Sequence, residues 1–443
     1  MGATTFHAFG AIPLAKIDQE TEMLDLAKIW NSVMGSRKDS APLCDIPKTA
    51  FLHIPKTAGT TVHHILLNCF PGGRIFTNAE RGNNQKVDPS TFDFISGHFN
   101  YSYLIERGLT GHRIVTIFRD PVGRALSHFY FLKQDRLLDL VEREDEAYDQ
   151  SELELAREVL AKARENDLAD FIRKEPFLAN ITLGDYQTRL MGAPDKLSPL
   201  DSSHLDLALK HLRNCFFVGL TERMNESVAL LCQRMGWPLI LPQGSLNSNK
   251  ENKGKRQQPP ELLQALKDLN RMDQVLYEEA QKLFEESLKN PVAEKFPIPD
   301  AANFTLEQSI LGEGWQIRDK ENGEWICWSG PESKSWLELS TTLQSSAQMI
   351  IGLFMVIHPE VFERLKLSIN GVDLPHTILR DGEKLRLKVA IPGKMMREAN
   401  GRLRLGIDTG VTHCPADLFS GSPDRRKLGL AITGIRLKKS YFF

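Results

Sequence analysis

Short apolar runs alternate with amphipathic stretches from about residue 50 to residue 290. In the amphipathic stretches the apolar residues recur at three- and four-residue spacing, which is typical of helices packed on one face. The predicted strands are FLHI (51–54), DFISG (93–97), RIVTIF (113–118) and CFFVGL (215–220). The predicted helices include TTVHHILLNCF (60–70), RALSHFYFLKQ (124–134), SVALLCQRMGW (227–237) and QVLYEEAQKLFEESL (274–288). Strands interleaved with helices in this way indicate a parallel sheet that is covered on both faces.

The hydrophobic period changes to two after NPVAEKFPIPDAANF (290–304), a proline-rich stretch that is typical of a linker. The pairs Asn370-Gly371 and Asp381-Gly382 are signals for tight turns between neighbouring strands. Apolar and polar residues alternate in SWLELS (335–340), LKLSING (365–371), KLRLKVAI (384–391) and GRLRLGI (401–407). Several such strands without intervening helices predict an all-β, jelly-roll-like sandwich.

The length of 443 residues exceeds what one hydrophobic core usually supports, so two domains are expected. The predicted fold class is α/β: a P-loop-like parallel sheet flanked by helices, followed by a smaller all-β sandwich. We divide the chain into an N-terminal extension (1–45), an α/β domain (46–290), a linker (291–304) and a sandwich (305–443). The extension carries one amphipathic helix, from Gln19 to Met34.

Composition and charge narrow the function classes. A net charge of −2 and a pI near 6.7 give no overall attraction to nucleic acid, so a polyanion site would need local clustering. The six cysteines form no C-x-x-C pair and no short metal-ligand spacing. The apolar run at 349–357 is too short to cross a bilayer, and the N-terminus lacks the pattern of a signal peptide. We therefore expect a soluble, cytoplasmic protein without a membrane span.

The stretch PKTAGTT (55–61) follows a predicted strand and opens a predicted helix. Backbone N–H groups at a helix N-terminus favour a bound anion, and Lys56 and the hydroxyls of Thr60 and Thr61 add donors. Lys56 precedes Gly59, whereas a triphosphate-binding loop places its lysine after the second glycine. The alternative is an ordinary strand-to-helix turn with a surface lysine.

A second cluster of polar residues lies in RDPVGRALS (119–127). Arg119 ends a predicted strand, and Arg124 and Ser127 lie on the helix that follows. An arginine can donate two hydrogen bonds to one phosphate, and a serine hydroxyl can add a third. The alternative is a local ion pair between Arg119 and Asp120. Together with the first loop, this cluster predicts a ligand with phosphates at two separated positions.

The two stretches FLHIPKTAGTT and IFRDPVGRALSHFYF together resemble the PAPS-dependent sulfotransferases, in the carbohydrate branch that includes heparan sulfate 2-O-sulfotransferases (PAPS is 3′-phosphoadenosine 5′-phosphosulfate). Supporting stretches are ISGHF (95–99), YQTRLMG (186–192), FVGLTERMNESVALL (217–231) and NRMDQVLYEEAQKLF (270–284). The resemblance covers about residues 48 to 290. It implies PAPS as co-substrate and PAP, the desulfonated nucleotide, as product. It implies no metal. It places Lys56, Thr57, Ala58, Gly59, Thr60 and Thr61 at the 5′-phosphosulfate, and Arg119 and Ser127 at the 3′-phosphate.

His98, in SGHF, is the candidate general base. It follows a predicted strand end, where the crevice of an open α/β sheet lies, and similar family members use a Gly-His histidine to take the acceptor proton. Lys56 would stabilise the leaving phosphate. The alternative for His98 is a structural histidine. His53 is expected in a buried strand, and His63 and His64 are expected on the first helix.

The expected acceptor is a hydroxyl on a polysaccharide or glycoconjugate, because the sandwich looks similar to β-sandwich modules of bacterial glycan-modifying transferases. The absence of a membrane anchor favours a bacterial cytoplasmic enzyme over a Golgi enzyme. Clustered tryptophans would stack on sugars or fill the sandwich core. Basic candidates for an acceptor groove are Arg74, Arg81, Lys86, Arg136 and Arg189, and a basic loop over the nucleotide is expected at 247–256.

Three alternatives remain open. One is a P-loop kinase, whose lysine position and magnesium carboxylate are not visible in the sequence. Another is a catalytically inactive nucleotide fold with a glycan-binding sandwich. The third is a small-molecule or protein-tyrosine acceptor for the same sulfotransferase chemistry. The sequence leaves the oligomeric state open.

Overall fold

The computed structural model describes residues 46–79, 86–134, 137, 150–241, 258–289, 296–382 and 384–440. The N-terminal extension with its predicted helix, the predicted basic loop at 247–256, and Arg81 and Arg136 lie outside the described residues. The described residues contain no helix that is long and apolar enough to span a bilayer.

A five-stranded parallel sheet forms the centre of the first unit, with strand order β2-β3-β1-β4-β5. Its strands are β1 (Thr49–Leu52), β2 (Ile75–Thr77), β3 (Phe94–Gly97), β4 (Arg113–Phe118) and β5 (Phe217–Leu220). The predicted α/β pattern is confirmed. The short edge strand β2 was not predicted, because in IFT only Phe76 is buried and no apolar run marks it.

Helices pack on the parallel sheet and beside it. Their bounds are α1 (Gly59–Cys69), α2 (Tyr101–Glu106), α3 (Pro121–Leu132), α4 (Gln150–Glu165), α5 (Leu168–Lys174), α6 (Pro176–Leu183), α7 (Tyr186–Gly192), α8 (Ser202–Arg213), α9 (Met224–Met235), α10 (Pro260–Leu269) and α11 (Arg271–Lys289).

Two apolar cores hold this unit together. All residues of β1, β3 and β5 are buried, which explains why these strands are short apolar runs without alternation. A second cluster joins α3 to the helices that follow it, and there the rings of Phe129 and Phe171 lie 5.5 Å apart. The helices α4 and α5 are therefore anchored through their apolar faces.

The second unit consists of two antiparallel sheets, as the two-residue period predicts. One sheet has the order β13-β12-β16-β10-β7; the other has β14-β15-β11-β17-β9-β8, and β6 also pairs with β17. The strands are β6 (Phe304–Thr305), β7 (Gly312–Glu313), β8 (Asp319–Glu321), β9 (Glu324–Trp328), β10 (Lys334–Ser340), β11 (Ala347–Val356), β12 (Lys366–Ile369), β13 (Val372–Leu374), β14 (His376–Asp381), β15 (Lys384–Ile391), β16 (Arg402–Asp408) and β17 (Leu430–Lys439). Short helices α12 (Glu360–Arg364), α13 (Gly393–Glu398) and α14 (Pro415–Leu418) lie in the connections.

Alternate residues of these strands point into one shared core. Met349 and Ile351 on β11 contribute to it from one sheet, and Leu337 and Leu405 contribute from the other. The predicted turn at Asn370-Gly371 joins β12 to β13, with φ values of 50° and 82°. Asparagine and glycine tolerate this left-handed backbone, so the turn residues set the register of the hairpin.

The sandwich contacts the first unit at the C-terminal end of α1. Leu311, which precedes β7, belongs to the core of the parallel sheet unit. The Ile310 N–H donates to the Asn68 carbonyl at 2.7 Å, and the Gly72 N–H donates to the Glu307 carbonyl at 2.8 Å. The two units are therefore joined by both apolar and hydrogen-bonded contacts.

Candidate functional site

The candidate site lies at the carboxyl ends of three adjacent strands. The loop 53–58 follows β1, His98 follows β3, and Arg119 follows β4; β1 is hydrogen-bonded to both β3 and β4. Residues far apart in sequence thus converge at one edge of the sheet. This edge is where ligands of open α/β sheets bind.

The loop before α1 has an unusual backbone. Lys56 and Ala58 have φ values of 70° and 55°, which non-glycine residues rarely adopt. Ala58 occupies the N-cap position and has no side-chain donor or acceptor, so the first turn of α1 carries no side-chain cap from that position. Thr60 is exposed and Thr61 half-buried at this end of the helix. The arrangement matches a helix N-terminus shaped for an anion.

Thr57 supports the loop from inside. Its side chain is fully buried, and its hydroxyl donates to the Ile54 carbonyl at 2.8 Å. The hydroxyl of Thr221, just after β5, lies 2.7 Å from the Thr57 carbonyl and 3.0 Å from the Phe118 carbonyl. Thr221 therefore links the loop to the end of β4. Sequence analysis missed it, and its only signal is a polar residue directly after a buried strand.

Gly59 is required by its contact with His53. A Cβ atom at position 59 would lie 2.2 Å from Cδ2 and 2.3 Å from Nε2 of His53. His53 was expected inside a strand, but β1 ends at Leu52 and the imidazole packs beneath the loop. Burial, then the nearby His98, His63 and Lys56, lower the pKa of His53 well below its usual value. His53 is therefore neutral near pH 7.

Arg119 joins the two predicted phosphate motifs. Its Nη1 donates to the Lys56 carbonyl at 3.0 Å. Its backbone is held by Gln187, whose Oε1 accepts from the Arg119 N–H at 3.0 Å and whose Nε2 donates to the Arg119 carbonyl at 2.9 Å. Asp120 caps α3 by accepting from the Gly123 N–H at 2.7 Å. The backbone of Arg119 is thus fixed on both sides while its guanidinium reaches the loop.

The helix α3 lies over the lysine of the loop. The Lys56 ammonium stands 4.3 Å from the centroid of the Phe131 ring, a cation–π contact. Ser127, one turn earlier on α3, is buried. The structure therefore brings Lys56, Arg119 and Phe131 of α3 to one end of the sheet.

His98 is oriented by a backbone carbonyl. Its Nδ1 lies 2.7 Å from the His53 carbonyl oxygen, and the two rings are 4.5 Å apart. A carbonyl only accepts hydrogen bonds, so Nδ1 carries the proton. The neutral imidazole then has its lone pair on Nε2, which is the state that a general base requires.

Arg124 on α3 is a buried charge near Arg119, and His128 lies one turn further along the same helix. The Nη2 of Arg124 donates to the carbonyls of Thr182 and Leu183 at 3.1 and 2.9 Å. Among the described residues, Arg124 Nε and Nη1 and His128 Nδ1 have no hydrogen-bond partner. Burial, then Arg124, Lys56 and His98, lower the pKa of His128 well below its usual value. His128 was missed as a site residue; its signal was its position four residues after Arg124 on one helix face.

Two of the basic residues proposed for the acceptor groove have structural contacts instead. Arg74 pairs with the buried Asp93 at 2.6 Å. Arg189 is buried, and it donates to the Ser198 carbonyl and to Asn180 Oδ1, the latter at 3.1 Å. The Arg189 contacts stabilise the fold, because a buried guanidinium needs acceptors, whereas the Arg74 side chain stays partly exposed beside Asp93.

The tryptophans of the sandwich are mainly packed inside it. Trp315 and Trp328 are buried, and Trp336 lies under the Arg404 guanidinium at 4.2 Å. None of the large apolar side chains that are exposed among the described sandwich residues is aromatic. Trp315 and Trp328 therefore fit the core interpretation, whereas Trp325 and Trp336 are half-buried.

A group of polar side chains lies apart from the site, on the sandwich. His358, Glu360 and His413 lie together, with the two imidazole rings 4.8 Å apart. Arg364 pairs with one Glu360 oxygen at 2.6 Å, and His413 Nε2 lies 3.3 Å from the other. The Glu360 N–H donates to His358 Nδ1 at 3.3 Å. His413 Nε2 is buried and makes no hydrogen bond to the described residues, although it lies near the Glu360 carboxylate.

Comparisons with known proteins identify no family. No protein-family model matches the sequence, and no curated protein matches it. The chain is similar to a family 35 carbohydrate-binding module from Clostridium thermocellum, with 8% identity and a TM-score of 0.19 over 32% of this chain and 98% of that chain. It is also similar to a family GH115 4-O-methyl-α-glucuronidase with specificity for decorated arabinogalactans, with 11% identity and a TM-score of 0.16; the match covers 79% of this chain and 47% of that chain. Neither likeness is close enough to carry a functional conclusion.

Proposed function

We propose that this protein is a PAPS-dependent sulfotransferase with a P-loop-like nucleotide fold. The contact between Arg119 Nη1 and the Lys56 carbonyl carries the proposal, because it joins the two sequence motifs into one cationic site. The resemblance of both motifs to those of the sulfotransferases supports the same proposed function. A nucleotide with phosphates at two positions fits such a site.

Each part of the nucleotide has a proposed partner. The loop from Lys56 to Thr61 binds the 5′-phosphosulfate through the backbone N–H groups of α1, the Lys56 ammonium and the hydroxyls of Thr60 and Thr61. Arg119 and Ser127 bind the 3′-phosphate. Thr57 acts through its backbone, because its hydroxyl is engaged with Ile54.

The proposed reaction is an in-line transfer without a metal. His98 Nε2 takes the proton from the acceptor hydroxyl as that oxygen forms a bond to sulfur. The bond between sulfur and the bridging phosphate oxygen breaks, and PAP leaves with that electron pair. Lys56 and the N-terminus of α1 stabilise the growing charge on the leaving oxygen, and one such donor is typically worth about 3 kcal/mol.

The proposed acceptor is a hydroxyl of a polysaccharide or glycoconjugate, in the cytoplasm. This part rests on the resemblance to the carbohydrate branch. We place the acceptor beside His98 at the parallel sheet unit, because the proposed base lies there. A screen with labelled PAPS and a panel of polysaccharides, phenols and tyrosine peptides distinguishes the acceptor classes.

Calorimetric titration with PAP tests the nucleotide assignment. We expect micromolar binding of PAP and much weaker binding of ATP with magnesium. Arg119→Ala should weaken PAP binding by tenfold or more, since a charged hydrogen bond contributes about 1.5–3 kcal/mol. Arg213→Ala is the matched control, because Arg213 pairs with Glu279 on the exposed surface. Tight ATP binding without PAP binding would favour the kinase alternative, and binding of neither would contradict both.

A further inference from the structure

Arg318 is a buried cation that reaches from the sandwich into the parallel sheet unit. Its Nη2 donates to the carbonyls of Leu67 and Phe70 at 3.2 and 2.8 Å, and also to the Asn68 carbonyl. Its Nη1 donates to two carbonyls of the sandwich, those of Leu306 and Gln308, at 2.7 and 2.6 Å. Burial lowers the pKa of Arg318 to about 10, so it remains charged near neutral pH.

The three carbonyls that accept from Arg318 Nη2 belong to the last turn of α1 and the residue after it. The last carbonyls of a helix have no partner within the helix, and a cation there also interacts favourably with the helix dipole. No carboxylate is needed for this arrangement, because five carbonyl oxygens surround the guanidinium. The sandwich thus supplies the C-terminal cap of a helix in the other unit.

Two further side chains strengthen this contact. Asn68 Nδ2 donates to the Gln316 carbonyl at 3.1 Å, and His64 Nε2 donates to the Trp315 carbonyl at 3.0 Å. The segment before β8 therefore holds α1 along its C-terminal half. The other end of the same helix, about 16 Å away by helix rise, is the candidate anion loop.

We propose that Arg318 is a positioning residue for the anion loop, acting through α1, and that the sandwich serves as a structural part of the nucleotide site. The inference rests on the proposed function. A rigid helix transmits a displacement of one end to the other, and the N–H groups of its first turn must lie within hydrogen-bond distance of the anion. Fixing the C-terminus of α1 therefore fixes where those donors lie.

The decisive comparison uses Arg318→Met and Glu313→Ala in the full chain. Arg318→Met keeps an unbranched apolar stem that reaches about as far as Nε, but removes the guanidinium that caps α1. Glu313→Ala removes a different contact between the units, since Glu313 accepts from the Leu241 N–H and, at 3.0 Å, from Trp336 Nε1 without touching α1. Two readouts are needed: amide hydrogen exchange of residues 54–61 without ligand, and the Kd for PAP.

We expect Arg318→Met to speed exchange in residues 54–61 by tenfold or more and to raise the Kd for PAP about tenfold. Arg318→Lys, which retains a cation, should recover part of both effects. Glu313→Ala should leave loop exchange and the Kd within about twofold of the parent, even if it lowers the melting temperature.

Equal effects of Arg318→Met and Glu313→Ala on both readouts would overturn the inference, because Arg318 would then merely hold the units together. Unchanged loop exchange in Arg318→Met would also overturn it. If Arg318→Met fails to fold, loop exchange and the Kd for PAP are compared between Arg318→Lys and Glu313→Ala instead. If the parent protein does not bind PAP, the proposed function fails, while loop exchange still decides the positioning role.

Discussion

At the scale of single residues, His98 shows how a backbone contact sets a chemical state. The His53 carbonyl accepts from His98 Nδ1 at 2.7 Å, and this leaves the lone pair of the neutral ring on Nε2. His128 lies in the same cationic surroundings, but its burial and the nearby Arg124 keep its pKa low. The surroundings of a histidine, which the sequence alone does not show, therefore decide whether it can act as a base.

His98→Asn should abolish transfer while sparing nucleotide binding. The amide can still donate to the His53 carbonyl but cannot accept a proton, so kcat should fall by about 10²–10⁴-fold. The Kd for PAP should stay within about threefold. Transfer of the labelled sulfuryl group to the acceptor found by screening measures turnover, and titration with PAP measures nucleotide binding. His204→Asn is the control, because His204 caps α8 away from the site. Turnover near the parent rate in His98→Asn would exclude His98 as the base.

At the scale of elements, the loop and α1 depend on a close fit with the residue after β1. The imidazole of His53 fills the space beside Gly59, so no side chain fits at position 59. A glycine at the start of a helix allows a ligand to approach the backbone closely. The structure adds a packing reason: glycine lets α1 begin directly above His53.

Gly59→Ala should destabilise the protein by about 1–3 kcal/mol and weaken PAP binding, because the new methyl group would overlap His53. Urea unfolding and PAP titration measure the two effects. Gly111→Ala is the matched control, since a Cβ there would contact nothing within 4 Å. Adding His53→Ala to Gly59→Ala should recover part of the stability. No loss in Gly59→Ala would mean that the His53 ring moves without cost.

At the scale of the whole molecule, the parallel sheet unit and the sandwich share contacts that neither could make alone. Leu311 lies in the core of the first unit, and Nη1 and Nη2 of Arg318 donate to carbonyls from both units. The proline-rich composition of 290–304 predicted a linker between two domains. Because the two units share contacts at the end of α1, we expect them to unfold together.

Differential scanning calorimetry of the full chain should therefore show one cooperative transition, with calorimetric and van't Hoff enthalpies in agreement. PAP at about 100 times its Kd should stabilise that whole transition by about 2.7 kcal/mol. Two separate transitions, of which PAP shifts only the first, would show that the units unfold independently.

The sequence by itself determined the features that depend on local order along the chain. Buried strands appear as apolar runs, sandwich strands as alternation, and the Asn370-Gly371 turn as a residue pair that tolerates positive φ. The position of PKTAGTT between β1 and α1 could also be predicted, because the strand, the turn and the helix are contiguous in the sequence. The edge strand β2 could not be predicted, because three residues are too few to show a hydrophobic period.

Only the tertiary structure decided which of these features act together. Arg119 and Lys56 are 63 residues apart, His98 and His53 are 45 apart, and Arg318 lies 248 residues from Phe70. No local pattern encodes such contacts, because strand order in the sheet and packing between the units bring the partners together. The sequence therefore predicts which residues carry the chemistry, and long-range packing determines the tautomer of His98, the need for Gly59 and the cap on α1.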